Sequence, residues 1–140
     1  MMQSSPELAA WLTGWYEQFT TGNGSSVASF MSTEDGTLGL GTDPREWWSG
    51  PEVVANAWRT QLPEMNAAGM KFVQGETEAW TEGSVGWFAD PLTIKMPDGT
   101  DLPARLTGVC HQEGGTWKCV QFHLSFGAMN EEAIGEHLTI

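Results

Sequence analysis

Positive charge is scarce in this chain. Six lysines and arginines stand against 18 acids, for a formal net charge of −12. Such a field repels phosphate backbones and anionic lipid surfaces, so neither nucleic acid nor membrane is expected as a partner. Two cysteines are too few for a disulfide framework. No apolar run approaches the length of a membrane span, and the N-terminus lacks the basic-then-apolar pattern of a secretory leader. A cytoplasmic location is expected. There is no glycine-rich phosphate loop, nucleophile elbow, Cys-x-x-Cys or His-x-x-x-His spacing. His111, His123 and His137 are scattered, so no metal site is predicted.

Aromatic residues are plentiful instead. Eight Trp and six Phe in 140 residues can furnish a core or the walls of an apolar pocket, while Tyr16 is the single tyrosine. The length suits one domain, taken as residues 1–140, with one core.

Ser4-Ser5-Pro6-Glu7 carries a helix-start signal: a serine cap, proline in the first turn, an acid near the positive helix end. Leu8, Trp11, Leu12, Trp15 and Phe19 follow at helical spacing, and Gly22-Asn23-Gly24 stops the pattern. A short helix is predicted over 25–30 and a short strand over 36–41. Ser49-Gly50-Pro51-Glu52 opens another helix, which Pro63 should kink or end near Leu62. From Met70 the pattern turns strand-like, with turns at Glu82-Gly83, Pro97-Asp98-Gly99 and Gly114-Gly115. Strands are predicted over 71–81, 84–96, 101–113 and 116–126. Helices followed by an antiparallel meander make an α+β fold, with helices on one side of a bent sheet.

Turn chemistry sets pairing, and pairing decides which residues share a face. A Gly114-Gly115 loop opposes Cys110 to Cys119, Gly108 to Gln121 and Leu106 to His123. A bulge at Gly99 opposes Asp90 to Leu106 and Phe88 to Gly108. The Glu82-Gly83 turn sets Thr77 across from Phe88 and Gly75 across from Asp90. One face then holds Phe88, Asp90, Leu106, Gly108, Gln121 and His123, a mixture suited to a lined pocket. The other ends in Val120, Phe122 and Leu124, which suits packing between two copies of the chain.

Asp90 and His123 share a cross-strand row about two strand spacings, ~10 Å, apart. They can flank a ligand as base and acid, or serve structure alone: a satisfied histidine, and an aspartate preceding Pro91 at a strand bend. Gln121 can orient a ligand oxygen, and Phe88 can wall the site. Asp43 precedes Pro44 and is read first as a turn former, with a place at the pocket mouth as the alternative. Trp47 and Trp48 point in different directions, so one packs on the core while the other closes a pocket or an interface. Cys110 and Cys119 are expected as free thiols.

Three stretches, Gly41-Thr42-Asp43-Pro44-Arg45-Glu46-Trp47-Trp48-Ser49-Gly50, Arg105-Leu106-Thr107-Gly108-Val109 and Trp117-Lys118-Cys119-Val120-Gln121-Phe122-His123-Leu124-Ser125, resemble a SnoaL-like domain of the nuclear-transport-factor-2-like superfamily. The last stretch also resembles the end of a calcium/calmodulin-dependent kinase association domain. The resemblance implies a cone-shaped α+β barrel with a pocket in its concave face, usually homodimeric. It implies either a binding or assembly module or an enzyme, working by an Asp or an Asp–His pair without metal or organic cofactor. Isomerase, cyclase and dehydratase are the implied chemistries, on a small apolar substrate. Asp90 and His123 would be the acid–base groups, with Gln121, Phe88, Trp48 and Asp43 around the substrate. Tyr16 reaches the cavity from the first helix in this reading.

Overall fold

The computed structural model describes residues 1–140. After a two-residue strand, β1 (Gln3–Ser4), helix α1 runs over Pro6–Thr21. Its start is the one the sequence signals: the Ser5 side chain accepts from the Leu8 N–H and Pro6 occupies the first turn. Helix α1 buries Leu8, Leu12, Trp15, Tyr16 and Phe19 on one face. Asn23 and Ser26 then cap a short α2 (Gly24–Ala28) reciprocally. Strands β2 (Leu38–Leu40) and β3 (Trp47–Ser49) bracket the Asp43 loop and lead into α3 (Pro51–Ala67).

A kink or an end is expected at Pro63; α3 does not end there but continues for another turn. The proline has no N–H to give the carbonyl of Arg59, so the helix forgoes one hydrogen bond there. Burial of Val54, Trp58 and Leu62 fixes the helix.

The remaining strands are β4 (Lys71–Val73), β5 (Glu78–Glu82), β6 (Val85–Asp90), β7 (Thr93–Lys95), β8 (Asp101–Glu113) and β9 (Thr116–Phe126), before a short α4 (Asn130–Ile134). The main path is β1-β5-β6-β8-β9-β2-β3, with β7 joining β8 to β4. Thus β8 pairs β7 with its first half and β6 with its second. The Pro91 break between β6 and β7 lets the sheet fold over the helices without closing. Trp15 is fully buried in the concavity, its ring 5.5 Å from Trp58 and 5.9 Å from Phe122. Each such edge-on pair adds about 0.5–1.5 kcal/mol beyond area burial.

The β6–β8 register is the expected one, with Asp90 opposite Leu106 and Phe88 opposite Gly108. Glycine is required at 108, since a Cβ there would lie 2.5 Å from the Phe88 ring. The β5–β6 loop is Gly83-Ser84, one residue later than expected, so Phe88 faces Ala79 rather than Thr77. A two-residue slip keeps every side chain on its face.

The consequential difference lies in β9. Cys110 does face Cys119, and both are free and buried. Beyond them Val109 pairs with Gln121, so β9 carries one extra residue, a bulge at Val120. Gly108 therefore faces Phe122, and Leu106 faces Leu124. Two different neighbours hold the two parts of β9. Cys119 is fixed by hydrogen bonds to Phe30 and Ser32, while residues 121–123 pair with β2 in parallel. Burying Phe122 and Leu124 in place of Gln121 and His123 avoids stripping water from two polar side chains.

Candidate functional site

A cavity of about 350 Å³ opens between α3 and the concave sheet. That is the lower range of pockets that hold small molecules, roughly 300–1,000 Å³. Twelve of its 16 lining residues are hydrophobic. Ala57, Trp58 and Met65 come from α3, Trp48 from β3, Phe72 and Ile94 from β4 and β7, and Phe122, Leu124 and Phe126 from β9. The four lining residues that are not hydrophobic, Gly41, Thr42, Glu46 and Gln61, gather at the Asp43 loop.

Glu46 is the only charged residue on that lining. Its Oε1 accepts from the Asp43 N–H at 2.8 Å and from Thr42 Oγ1 at 3.4 Å. Its Oε2 accepts a short hydrogen bond from Gln61 Nε2. Gly41 leaves the room for this, since a Cβ there would meet the Glu46 carboxyl group at 2.8 Å.

The groups singled out from the sequence are distributed differently from expectation. Trp48 lines the cavity. Asp43 does not; its exposed carboxylate forms a fork with Arg45, at 2.9 Å to Nε and 2.8 Å to Nη2. Those hydrogen bonds hold its pKa far below the usual carboxylate range. Its contribution to the site is a backbone N–H.

Asp90 is buried, but it is not on the cavity wall. Tyr16 Oη donates to its Oδ2 at 2.7 Å, Thr77 Oγ1 to its Oδ1 at 3.0 Å, and the Gly75 N–H to Oδ1 at 3.1 Å. The carboxylate ties α1 to the segment between β4 and β5. Burial, then the hydrogen bond to Asp90, pushes the Tyr16 pKa far above its ordinary value. Tyr16 is likewise absent from the cavity lining, and Phe88 packs in the core against Trp11.

His123 and Gln121 are exposed on the outer face of the sheet. The expected row of Asp90 and His123 on one face is thereby corrected, because the Val120 bulge turns His123 outward. The same bulge removes Phe122 and Leu124 from the face expected to join two chains; both line the cavity instead. Gln121 and His123 border a shallow outer groove with Glu78, Trp80, Trp87 and Val109.

Away from the cavity, one carboxylate oxygen each of Glu34 and Glu113 and a ring nitrogen of His111 lie within 4.8 Å of one another, close enough to hold a metal ion. Spacing rules miss this group because Glu34 arrives from a separate loop. Hydrogen bonds from Ser32 and then His111 lower the Glu113 pKa. Glu46 and Gln61 were also missed. Their signal was the Asp43-x-x-Glu46 spacing, which lets a carboxylate return to a backbone N–H three residues earlier.

A bent, unclosed sheet over helices, with an apolar cavity in its concavity, defines a domain of the nuclear-transport-factor-2-like kind. The chain belongs to the SnoaL-like domain family, whose profile matches residues 8–129. Solved structures agree on the fold. A nuclear-transport-factor-2-like protein of unknown function from Pseudomonas putida superposes with a TM-score of 0.74 at 14% identity, covering 85% of this chain and 83% of its own. A protein from Xanthomonas campestris, provisionally described as a calcium/calmodulin-dependent protein kinase II association domain, gives 0.68 at 22% identity, covering 86% of each chain. A protein of the nuclear-transport-factor-2-like family from Streptomyces avermitilis, provisionally described as a dehydratase, gives 0.68 at 15% identity, covering 87% of this chain and 95% of its own. No curated protein matches the sequence.

Proposed function

We propose that this chain binds one small, mostly apolar molecule in the cavity under α3. The observation that carries the reading is the lining itself: twelve hydrophobic residues, with the polar groups collected at one end. Apolar walls supply affinity, and a few fixed polar groups supply orientation. Fluorescence titration with the neutral dye Nile red tests it. Saturable binding with a blue-shifted emission is expected, and Ala57→Trp, which fills the cavity from α3, should abolish it. Absence of saturable binding, or binding that survives Ala57→Trp, refutes the reading.

A proton-transfer reading, of the isomerase, cyclase or dehydratase kind, has a different base from the one the sequence favoured. Glu46 faces the cavity, whereas Asp90 is buried away from its wall. Any cofactor-free turnover should be lost in Glu46→Gln. Retention of activity in that variant sinks the assignment. We further place a homodimer contact on the outer groove, where Trp80 and Val109 are exposed beside Trp87.

A further inference from the structure

The cavity's polar end is chemically one-sided. Its lining contains one carboxylate, Glu46, and no lysine, arginine or histidine. A carboxylate offers about four acceptor positions. Protein donors fill three of them: the Asp43 N–H, Thr42 Oγ1 and Gln61 Nε2. The amide of Gln61 must turn its nitrogen to Glu46, because its own oxygen would meet the carboxylate as a second acceptor. Gln61 Oε1 is thereby left as an acceptor. The Trp58 indole N–H is buried without a partner and sealed from solvent. What remains for a ligand is two acceptors, Gln61 Oε1 and the fourth position on Glu46, against one donor, the second N–H of Gln61 Nε2.

Three more observations bear on charge. Trp48, Phe72, Phe122 and Phe126 present aromatic rings to the same cavity, and ring faces attract cations. A net charge of −12 draws cations toward the molecule and repels anions. Gly41 leaves space for a carboxylate that an apolar ligand would not need.

From this we infer that the cavity's ligand is an apolar amine, its ammonium group held by Glu46 and Gln61 Oε1 and its hydrocarbon body among the aromatic and methionine side chains. The inference rests on the binding reading above and adds the class of ligand. It opposes a fatty acid as ligand, since that carboxylate would face Glu46 without a cation between them.

Calorimetric titration with octylamine, octanol and octanoate at neutral pH, below their aggregation limits, separates the possibilities. Octylamine should bind roughly tenfold more tightly than octanol, the size of one partly desolvated charge contact, and octanoate should bind most weakly. Glu46→Gln keeps the shape and removes the charge, so it should erase the gap between amine and alcohol. Near-UV circular dichroism verifies that the variant is folded. Should Glu46→Gln fail that check, raising the salt concentration on the wild type reads the same charge preference by narrowing the gap. Equal affinity for octylamine and octanol, or tighter octanoate, overturns the amine inference and leaves the cavity reading standing. Failure of all three to bind overturns both.

Discussion

Removing one hydroxyl tests whether Asp90 holds the fold together. Tyr16→Phe deletes the 2.7 Å donor to Oδ2 and leaves the ring packed on Phe19 and Phe72. Oδ1 keeps Thr77 and the Gly75 N–H, so Oδ2 loses its best partner; the Gly75 N–H lies 3.4 Å from it. A hydrogen bond to a charged acceptor contributes roughly 1.5–3 kcal/mol, so a loss of about 2 kcal/mol is expected. With a urea slope of about 2 kcal/mol/M, the midpoint should fall by about 1 M with no change in slope. Thr77→Val strips a donor from the other oxygen. The double variant should lose more than the sum of the two, by about 0.5 kcal/mol or more, because one carboxylate is then left with a single amide. Nile red affinity should stay at the wild-type value, since neither residue lines the cavity. A Tyr16→Phe stability within about 0.3 kcal/mol of wild type would refute the structural account of Asp90.

The single tyrosine also makes alkaline unfolding readable. Tyr16 has a folded-state pKa raised far above its unfolded value near 10, so its contribution is full below about pH 10 and declines as pH rises beyond it. Tyrosinate absorbance should appear only together with unfolding; a separate, earlier titration of the folded protein would contradict this. Gly108→Ala drives a methyl against the Phe88 ring and should cost about 1–3 kcal/mol, recovered in part by Phe88→Leu; thermal unfolding of the pair reads it. Trp80→Glu on the outer groove should lower the sedimenting mass if the homodimer forms there, whereas an unchanged dimer would move the contact elsewhere.

Much of the fold was legible because local signals and tertiary packing agree. Strands β8 and β9 begin and end where their turn glycines predict, and α1 starts at its Ser5 cap. Asp90 was correctly placed opposite Leu106, since the Gly99 turn has one sterically easy form. The site was less legible. Its phase in β9 depends on a bulge that no turn residue announces, and that one extra residue exchanged Phe122 for His123 on the cavity wall. Of the kink or end that Pro63 announces, the end does not occur, because the burial of Leu62 outweighs one missing hydrogen bond. The Asp43-x-x-Glu46 spacing announces only a bond to the Asp43 N–H; the place of Glu46 on the wall depends on α3 bringing Gln61 to it.

The irregularity at Val120 also makes β9 tolerant of length changes at one position. On its hairpin side the strand is anchored through Cys119, and on its cavity side through the parallel contact with β2. Between these anchors the chain holds a spare link. Deleting that link should restore an ordinary ladder and leave Cys119 and Phe122 both pointing inward. Removing a residue further along, at Leu124, would instead invert everything downstream and carry Phe126 out of the wall. A change of length in this strand is therefore expected to be tolerated at Val120, where a residue can be gained or lost without changing which side chains face the cavity.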